Sequence, residues 1–239
     1  MNYQKIDFAL TDLDQISLDD PNPTAKTMTL FKYGRQMEQA QFEVYQSLLS
    51  EKESIKSALC VLLLGYCYEQ STGDSVSPDL LTSYTDLLEW FIEHHPCSFI
   101  IWRATYPSVD ENFERLRTAW LRQCHSEQSN VFIWNNGAHF CARAGADDLA
   151  EVFWKRAKEL DPSAIWAYEL ACIYKYRIES VTSMVDKQLL AKQALSEIKD
   201  MINRPNDYPE KSYLSPTLWQ GAIQRFQQLA CEFEIESGF

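Results

Sequence analysis

The sequence predicts an all-α protein, and more narrowly an α-solenoid in which antiparallel helix pairs stack on one another. Only 7 glycines and 9 prolines interrupt its 239 residues, and the runs between them carry apolar residues at three- and four-residue spacing. In addition, the dipeptide Ile-Trp recurs at a fixed interval, because Trp102, Trp134 and Trp166 stand 32 residues apart. Such a period is typical of helix pairs that bury their apolar stripes only against neighbouring pairs.

Two segments illustrate the helical periodicity. In FERLRTAWLRQC the apolar face comprises Phe113, Leu116, Ala119, Trp120 and Cys124. In LAEVFWKRAKEL we expect the apolar face to comprise Leu149, Val152, Phe153, Ala157 and Leu160. No comparable stretch shows the strict alternation of a half-buried strand.

Residues 131–164 carry large and small residues at characteristic positions. Large residues are Trp134 and Trp154, small ones are Ala138, Ala150 and Ala157, and Gly145 and Pro162 stand at turns. Small residues let two helices cross closely, and Pro162 follows a helix that it could not continue. In this order the segment resembles one tetratricopeptide repeat, with Gly137 and Cys141 as departures where leucine and tyrosine are usual.

Looser units extend this resemblance over residues 58–205. They cover about 58–96, with Leu64, Gly65 and Tyr68 in repeat spacing, then 99–128 and 165–205. The unit at 99–128 is also similar to the half-a-tetratricopeptide repeats of RNA-processing scaffolds. The Ile-Trp pairs would then mark the first helix of successive units.

Terminal segments are expected to close the array. We expect residues 24–50 to form one long amphipathic helix. We expect residues 215–236 to form a C-terminal capping helix that opens with Ser215 and Pro216. Together with the repeats they form a single predicted domain over 24–239. Residues 1–23, with five aspartates against one lysine, are expected to be an acidic, irregular arm that is either a disordered tail or packed along the solenoid.

Composition excludes several classes of protein. The formal charge of −12 argues against direct nucleic-acid binding, which needs clustered Lys and Arg. The apolar run at 58–68 is too short to span a membrane, and the N-terminus lacks the pattern of a signal peptide. Seven cysteines spread over apolar runs are expected to be reduced core residues of a cytoplasmic protein.

No residue pattern points to catalysis, a metal or a cofactor. The residues His94, His95, Cys97, Cys124 and His125 can bind zinc, but they lack the paired spacing of a structural zinc site. Phosphate loops, nucleophile elbows and His-Glu-x-x-His motifs are missing from the sequence. We therefore expect no catalytic residues, no metal, no cofactor and no enzymatic activity.

The tetratricopeptide resemblance implies a partner-binding groove lined by the first helix of each pair. The positions that face this groove in the family correspond here to Arg103, Phe132, Asn135, His139, Arg143, Trp166, Glu169, Tyr176 and Arg177. Arginine side chains bind carboxylates in a forked geometry, so the groove could receive an acidic peptide or a chain terminus. Alternatively, Arg143 and Arg177 only complement helix dipoles near helix C-termini.

Two functions from different classes follow. The first is a non-catalytic scaffold or adaptor that binds a peptide or protein segment in its groove. The second is an acidic inhibitor or immunity-type protein that neutralises a basic enzyme or toxin, such as a nuclease, through steered association. A more distant resemblance, through the spaced tryptophans, is to the helical alpha subunit of prenyltransferases, which would require a second, catalytic chain. The oligomeric state stays open.

Overall fold

The computed structural model describes residues 78–98, 101, 104, 106, 111–204 and 216–236. Every regular element in these ranges is an α-helix: α1 (Pro78–His94), α2 (Glu111–Ser126), α3 (Val131–Arg143), α4 (Asp147–Leu160), α5 (Ala164–Ser180), α6 (Met184–Asn203) and α7 (Pro216–Glu236). The all-α prediction is therefore confirmed for the described part. The arm at 1–23, the helix at 24–50 and the first helix of the unit at 58–96 lie outside it.

The chain divides into two compact units. The first, up to Ala146, contains α1, α2 and α3, and the second, from Asp147, contains α4 to α7. The prediction of a single domain over 24–239 and the predicted antiparallel pairing stay predictions. None of the described helices combines the length and the apolar character needed to cross a membrane.

Local sequence signals set the ends of the helices. The side chains of Asn130, Ser163 and Ser183 accept hydrogen bonds from backbone N–H groups at the starts of α3, α5 and α6. After α3 the chain turns at Gly145, whose φ of 80° lies in the left-handed region that favours glycine. Pro162 follows the end of α4, as predicted.

In the first unit, aromatic rings pack around Phe140 of α3. Its ring stacks on that of Phe113 with centroids 5.5 Å apart, and it also contacts the rings of Trp120 and Tyr106. All five residues of the predicted apolar face of α2 are buried. The amide of Asn136 donates to the backbone oxygens of Pro96 and Ser98, which fixes the turn after α1 against α3.

In the second unit, α5 is the central helix. It packs against both α4 and α6, and α6 also packs against α7. Apolar side chains are buried on all sides of α5, as expected for a helix surrounded by neighbours. Lys158 of α4 forms ion pairs of 2.6 Å and 2.8 Å with Glu197 and Asp200 of α6, which joins these two helices as well.

The predicted apolar face of α4 is wrong at one residue. Val152 is 56% exposed, whereas Trp154 is only 3% exposed. These two residues lie about 100° to either side of Phe153 on a helical wheel, so the helix cannot bury both against one surface. The buried residues are Ala150, Phe153, Trp154 and Ala157. Three of them are the small and aromatic positions that the tetratricopeptide resemblance singled out.

Candidate functional site

The predicted groove residues of the first unit share one face of α3. Asn135 and His139 are buried along this face, and Phe132 is half-buried at its start. Arg143 is half-buried in the last turn, where its guanidinium donates to the backbone oxygen of Ala104 over 3.4 Å. Arg103 lies outside the described residues. Of the four described side chains on α3, none is fully exposed.

The predicted groove residues of α5 differ in burial along the helix. Trp166 and Glu169 are buried, and the indole nitrogen of Trp166 has no hydrogen-bond partner among the described residues. Arg177 continues this face in the last turn of α5. Tyr176 lies two turns after Glu169 and within about 20° of it on the helical wheel, but it is 62% exposed near the C-terminal end of α5. Only Tyr176 is therefore open to solvent.

Arg177 is engaged by carboxylates of α4. It pairs with Asp148 at 2.8 Å and with Glu151, and Glu151 also accepts a hydrogen bond of 2.8 Å from the hydroxyl of Tyr174. Burial raises the pKa of Glu151. Hydrogen bonds from Lys155 and Tyr174, together with nearby positive charge, lower this pKa by more than burial raises it, so the net shift is downward. Arg177 thus fastens α5 to α4 inside the second unit.

A cavity of about 480 Å³ lies between α5 and α7. Its aromatic wall is built by Tyr168 of α5 and Phe226 of α7, whose ring centroids are 5.4 Å apart in an edge-to-face arrangement. Trp219 supports the ring of Tyr168 from α7 at 6.2 Å. Because these rings hold one another in place, this wall of the cavity is preorganised. We call this space the α5–α7 cavity.

A glycine lies on the α7 side of the cavity. Gly221 lies in the interior of α7, where a Cβ atom added to it would meet no atom within 4 Å. A helix interior is a costly place for glycine, which is less favourable there than alanine by about 0.5–1 kcal/mol. Gly221 is exposed and is one of the residues that line the α5–α7 cavity.

Two basic residues and one acidic residue line the α5–α7 cavity. Lys175 is neutralised by Glu179 one turn along α5, over 2.7 Å. Arg225 of α7 is exposed and makes no ion pair with a described residue, and none of the residues three or four positions away from it is acidic. The cavity therefore presents one arginine whose charge is available to a ligand.

The remaining polar groups of the cavity are neutral. Burial raises the pKa of the Cys172 thiol to about 12, and burial also raises the pKa of the Tyr168 hydroxyl. A protonated thiol is a poor nucleophile and a poor metal ligand. Elsewhere in the described part of the chain, no group of three or more His, Cys, Asp or Glu side chains is placed to hold a metal ion.

Sequence reasoning selected Tyr176 and missed the rest of the α5–α7 cavity. The spacing of residues could have indicated the two helix faces that line this cavity. Tyr168 stands one turn from Cys172 on α5, and Ala222 stands one turn from Phe226 on α7. The sequence predicts α7 as a terminal cap, and a pattern within one helix does not show which residues of α5 it faces.

No family model matches this chain, and no curated protein or solved structure is detectably similar to it. The tetratricopeptide resemblance therefore rests on the residues themselves.

Proposed function

We propose that this chain is a non-catalytic cytoplasmic scaffold or adaptor that binds a segment of another protein. In this proposal the helices form a tetratricopeptide-like solenoid of antiparallel pairs, and the first helices of the pairs line the binding groove. The partner is a protein or peptide, and neither nucleic acid nor a membrane is bound directly.

The pattern of burial supports a repeat architecture. The small repeat positions Ala138, Ala150 and Ala157 are fully buried, as helices that cross closely require. Gly145 occupies the turn after α3 with a positive φ, and within the second unit residues 161–163 and 181–183 form connections short enough for neighbouring helices.

The α5–α7 cavity is the observation that carries the proposal of binding. It combines a preorganised aromatic wall, the exposed Tyr176 and an arginine without an ion-pair partner among the described residues. Binding sites typically consist of an apolar recess with a few convergent polar groups. The neutral thiol of Cys172 favours recognition rather than nucleophilic chemistry at this place.

The acidic-inhibitor alternative rests on the net charge of −12. An inhibitor of a basic enzyme needs carboxylates that are available to its target. Many described carboxylates are already paired with cations of the same unit: Asp86, Glu89, Glu93, Glu114, Asp148, Glu151, Glu159, Glu179, Glu197 and Asp200. This pairing favours the adaptor over the inhibitor.

Site-specific photo-crosslinking tests the proposed function. Tyr176 is replaced by p-benzoylphenylalanine, which resembles tyrosine in shape, and cells that express the variant are irradiated. Val152 of α4 is the matched control position, because it is 56% exposed and Tyr176 is 62% exposed. We expect a discrete adduct with one partner from position 176 and none from position 152.

Two results would contradict the adaptor. One is that position 176 gives no adduct, or gives only the adducts seen at position 152. The other is that a basic protein crosslinks from position 159 of α4, where Glu159 has a side chain that is 64% exposed, and is released by moderate salt. The second result would establish the acidic inhibitor instead.

A further inference from the structure

The α5–α7 cavity has the size of a ligand pocket, with room for a large side chain. Its 480 Å³ falls within the range of about 300–1,000 Å³ that is usual for ligand pockets. Tyr168 and Phe226 meet edge to face, and Tyr176 adds a third ring to the lining. Aromatic rings prefer offset or edge-to-face contacts with other rings, so this lining favours an aromatic side chain.

The charges around the cavity indicate which charged group of a ligand would lie next to that aromatic side chain. Glu179 offsets the charge of Lys175, whereas Arg225 makes no ion pair with any described residue. A basic ligand would be repelled by Arg225, and a carboxylate would be bound by its guanidinium. Because the whole chain carries −12, a long acidic run would be repelled by the rest of the surface. One carboxylate next to the aromatic ring fits best.

We propose, on the basis of the proposed function, that the α5–α7 cavity is a specificity pocket for an aromatic side chain that adjoins a single carboxylate. The ring enters between α5 and α7 beside Gly221, and Arg225 binds the carboxylate. This carboxylate belongs either to an adjacent Asp or Glu or to the C-terminus of the partner.

Arg177, which sequence reasoning placed in the groove, has a different role in this picture. Its guanidinium is already bound by Asp148 and Glu151, so a ligand carboxylate would have to displace two carboxylates of α4. Arg225 requires no such exchange with a described residue. In this proposal carboxylate recognition lies on α7 and not at the C-terminal turn of α5.

Fluorescence anisotropy with defined peptide pools tests the pocket. The probes are fluorescein-labelled decapeptide pools with a fixed central dipeptide, Asp-Phe, Asn-Phe, Lys-Phe or Asp-Gly, and randomised flanks. Two further pools end in phenylalanine, one as the free acid and one as the amide, which distinguishes a side-chain carboxylate from a chain terminus. The purified full chain is titrated into the millimolar range.

Three variants of the full chain are compared with the wild type. Gly221→Leu adds a large side chain at a residue that lines the cavity, and its added Cβ meets no atom within 4 Å, so the fold should tolerate it. Arg225→Gln removes the charge from an exposed position. Gln227→Leu is the matched control, because it adds a leucine to an exposed position of α7 that does not line the cavity. Circular dichroism and thermal melting check that every variant is folded.

We expect the Asp-Phe pool or the free-acid pool to bind more tightly than its uncharged counterpart. Arg225→Gln should weaken that binding by about three- to tenfold, as for a partly exposed charge-assisted hydrogen bond. Filling a pocket that holds an aromatic anchor should weaken it by at least about tenfold in Gly221→Leu, whereas Gln227→Leu should bind like the wild type.

The proposal is overturned if Gly221→Leu binds like the wild type, or if the Asn-Phe pool binds as tightly as the Asp-Phe pool while the two phenylalanine-ending pools bind equally. It is also overturned if no pool binds although position 176 captures a partner, and in that case the adaptor function stands without this pocket. Conversely, binding that depends on both Gly221 and Arg225, with no adduct from position 176 in cells, supports the pocket and contradicts the adaptor.

Discussion

The same substitution should have opposite effects at two glycines. Gly145 has a φ of 80°, whereas Gly221 lies inside α7, and at neither position would an added Cβ meet an atom within 4 Å. Steric contact therefore cancels from the comparison, and only the backbone conformation differs. Comparing the two substitutions therefore separates the conformational free energy of a left-handed turn from that of a helix interior.

The expected magnitudes follow from these conformations. A non-glycine residue in the left-handed region costs about 1–2 kcal/mol, so Gly145→Ala should lower the free energy of unfolding by roughly 1 kcal/mol after the entropic gain of alanine. Gly221→Ala should raise it by about 0.5–1 kcal/mol, because alanine is the better helix former. In a chain of this size each kcal/mol shifts the melting temperature by about 2–4 °C.

Thermal unfolding followed by far-ultraviolet circular dichroism measures both variants. Hydrogen exchange of the amides in α3 and α7 assigns each effect to its own unit. The reasoning is refuted if both substitutions change stability in the same direction, or if Gly145→Ala is neutral.

Three further predictions concern packing, charge and thiol reactivity. Phe140→Ala should destabilise the first unit by about 3–5 kcal/mol in urea unfolding, because it removes the ring at the centre of an aromatic core. Glu151→Gln should cost about 1–2 kcal/mol at neutral pH, and the exposed control Glu159→Gln much less. Burial raises the pKa of Glu151 but its hydrogen bonds and neighbouring cations lower it more, so its contribution is present above the unfolded glutamate pKa and is lost as the pH falls below 4.5. In mass spectrometry after iodoacetamide treatment at mild alkaline pH, exposed Cys231 should be labelled long before buried Cys124, because burial raises the pKa of Cys124 to about 12.

Each of these expectations has a contrary outcome. A loss below about 1 kcal/mol in Phe140→Ala would mean that the core relaxes around the missing ring. Equal effects of Glu151→Gln and Glu159→Gln, or a difference that grows in acid, would contradict the role of Glu151 between α4 and α5. Labelling of Cys124 as fast as Cys231 in the folded chain would contradict its burial.

Helix positions could be predicted from local pattern. The apolar face of α2, the turn at Gly145, the stop before Pro162 and the helix that begins at Pro216 all depend on residues close in sequence. Period alone was insufficient for α4, where Val152 and Trp154 lie on opposite sides of Phe153 and only one of them can be buried together with it. The larger indole surface is buried and the valine is left in solvent.

The candidate site could be predicted only in part, because it depends on packing between α5 and α7. Tyr176 was selected as a groove residue and is exposed beside the cavity. Arg177 was selected by position, but its charge is satisfied by Asp148 and Glu151, a contact between helices that spacing within one helix does not reveal. Arg225 was missed for the same reason.

The most direct test of binding at the α5–α7 cavity combines the crosslinker with a filled cavity. The adduct from p-benzoylphenylalanine at position 176 is quantified in the otherwise unchanged chain, in Gly221→Leu and in Gln227→Leu. If the partner binds between α5 and α7, the adduct is lost in Gly221→Leu and retained in Gln227→Leu. An adduct of equal yield in all three chains would contradict binding at this cavity.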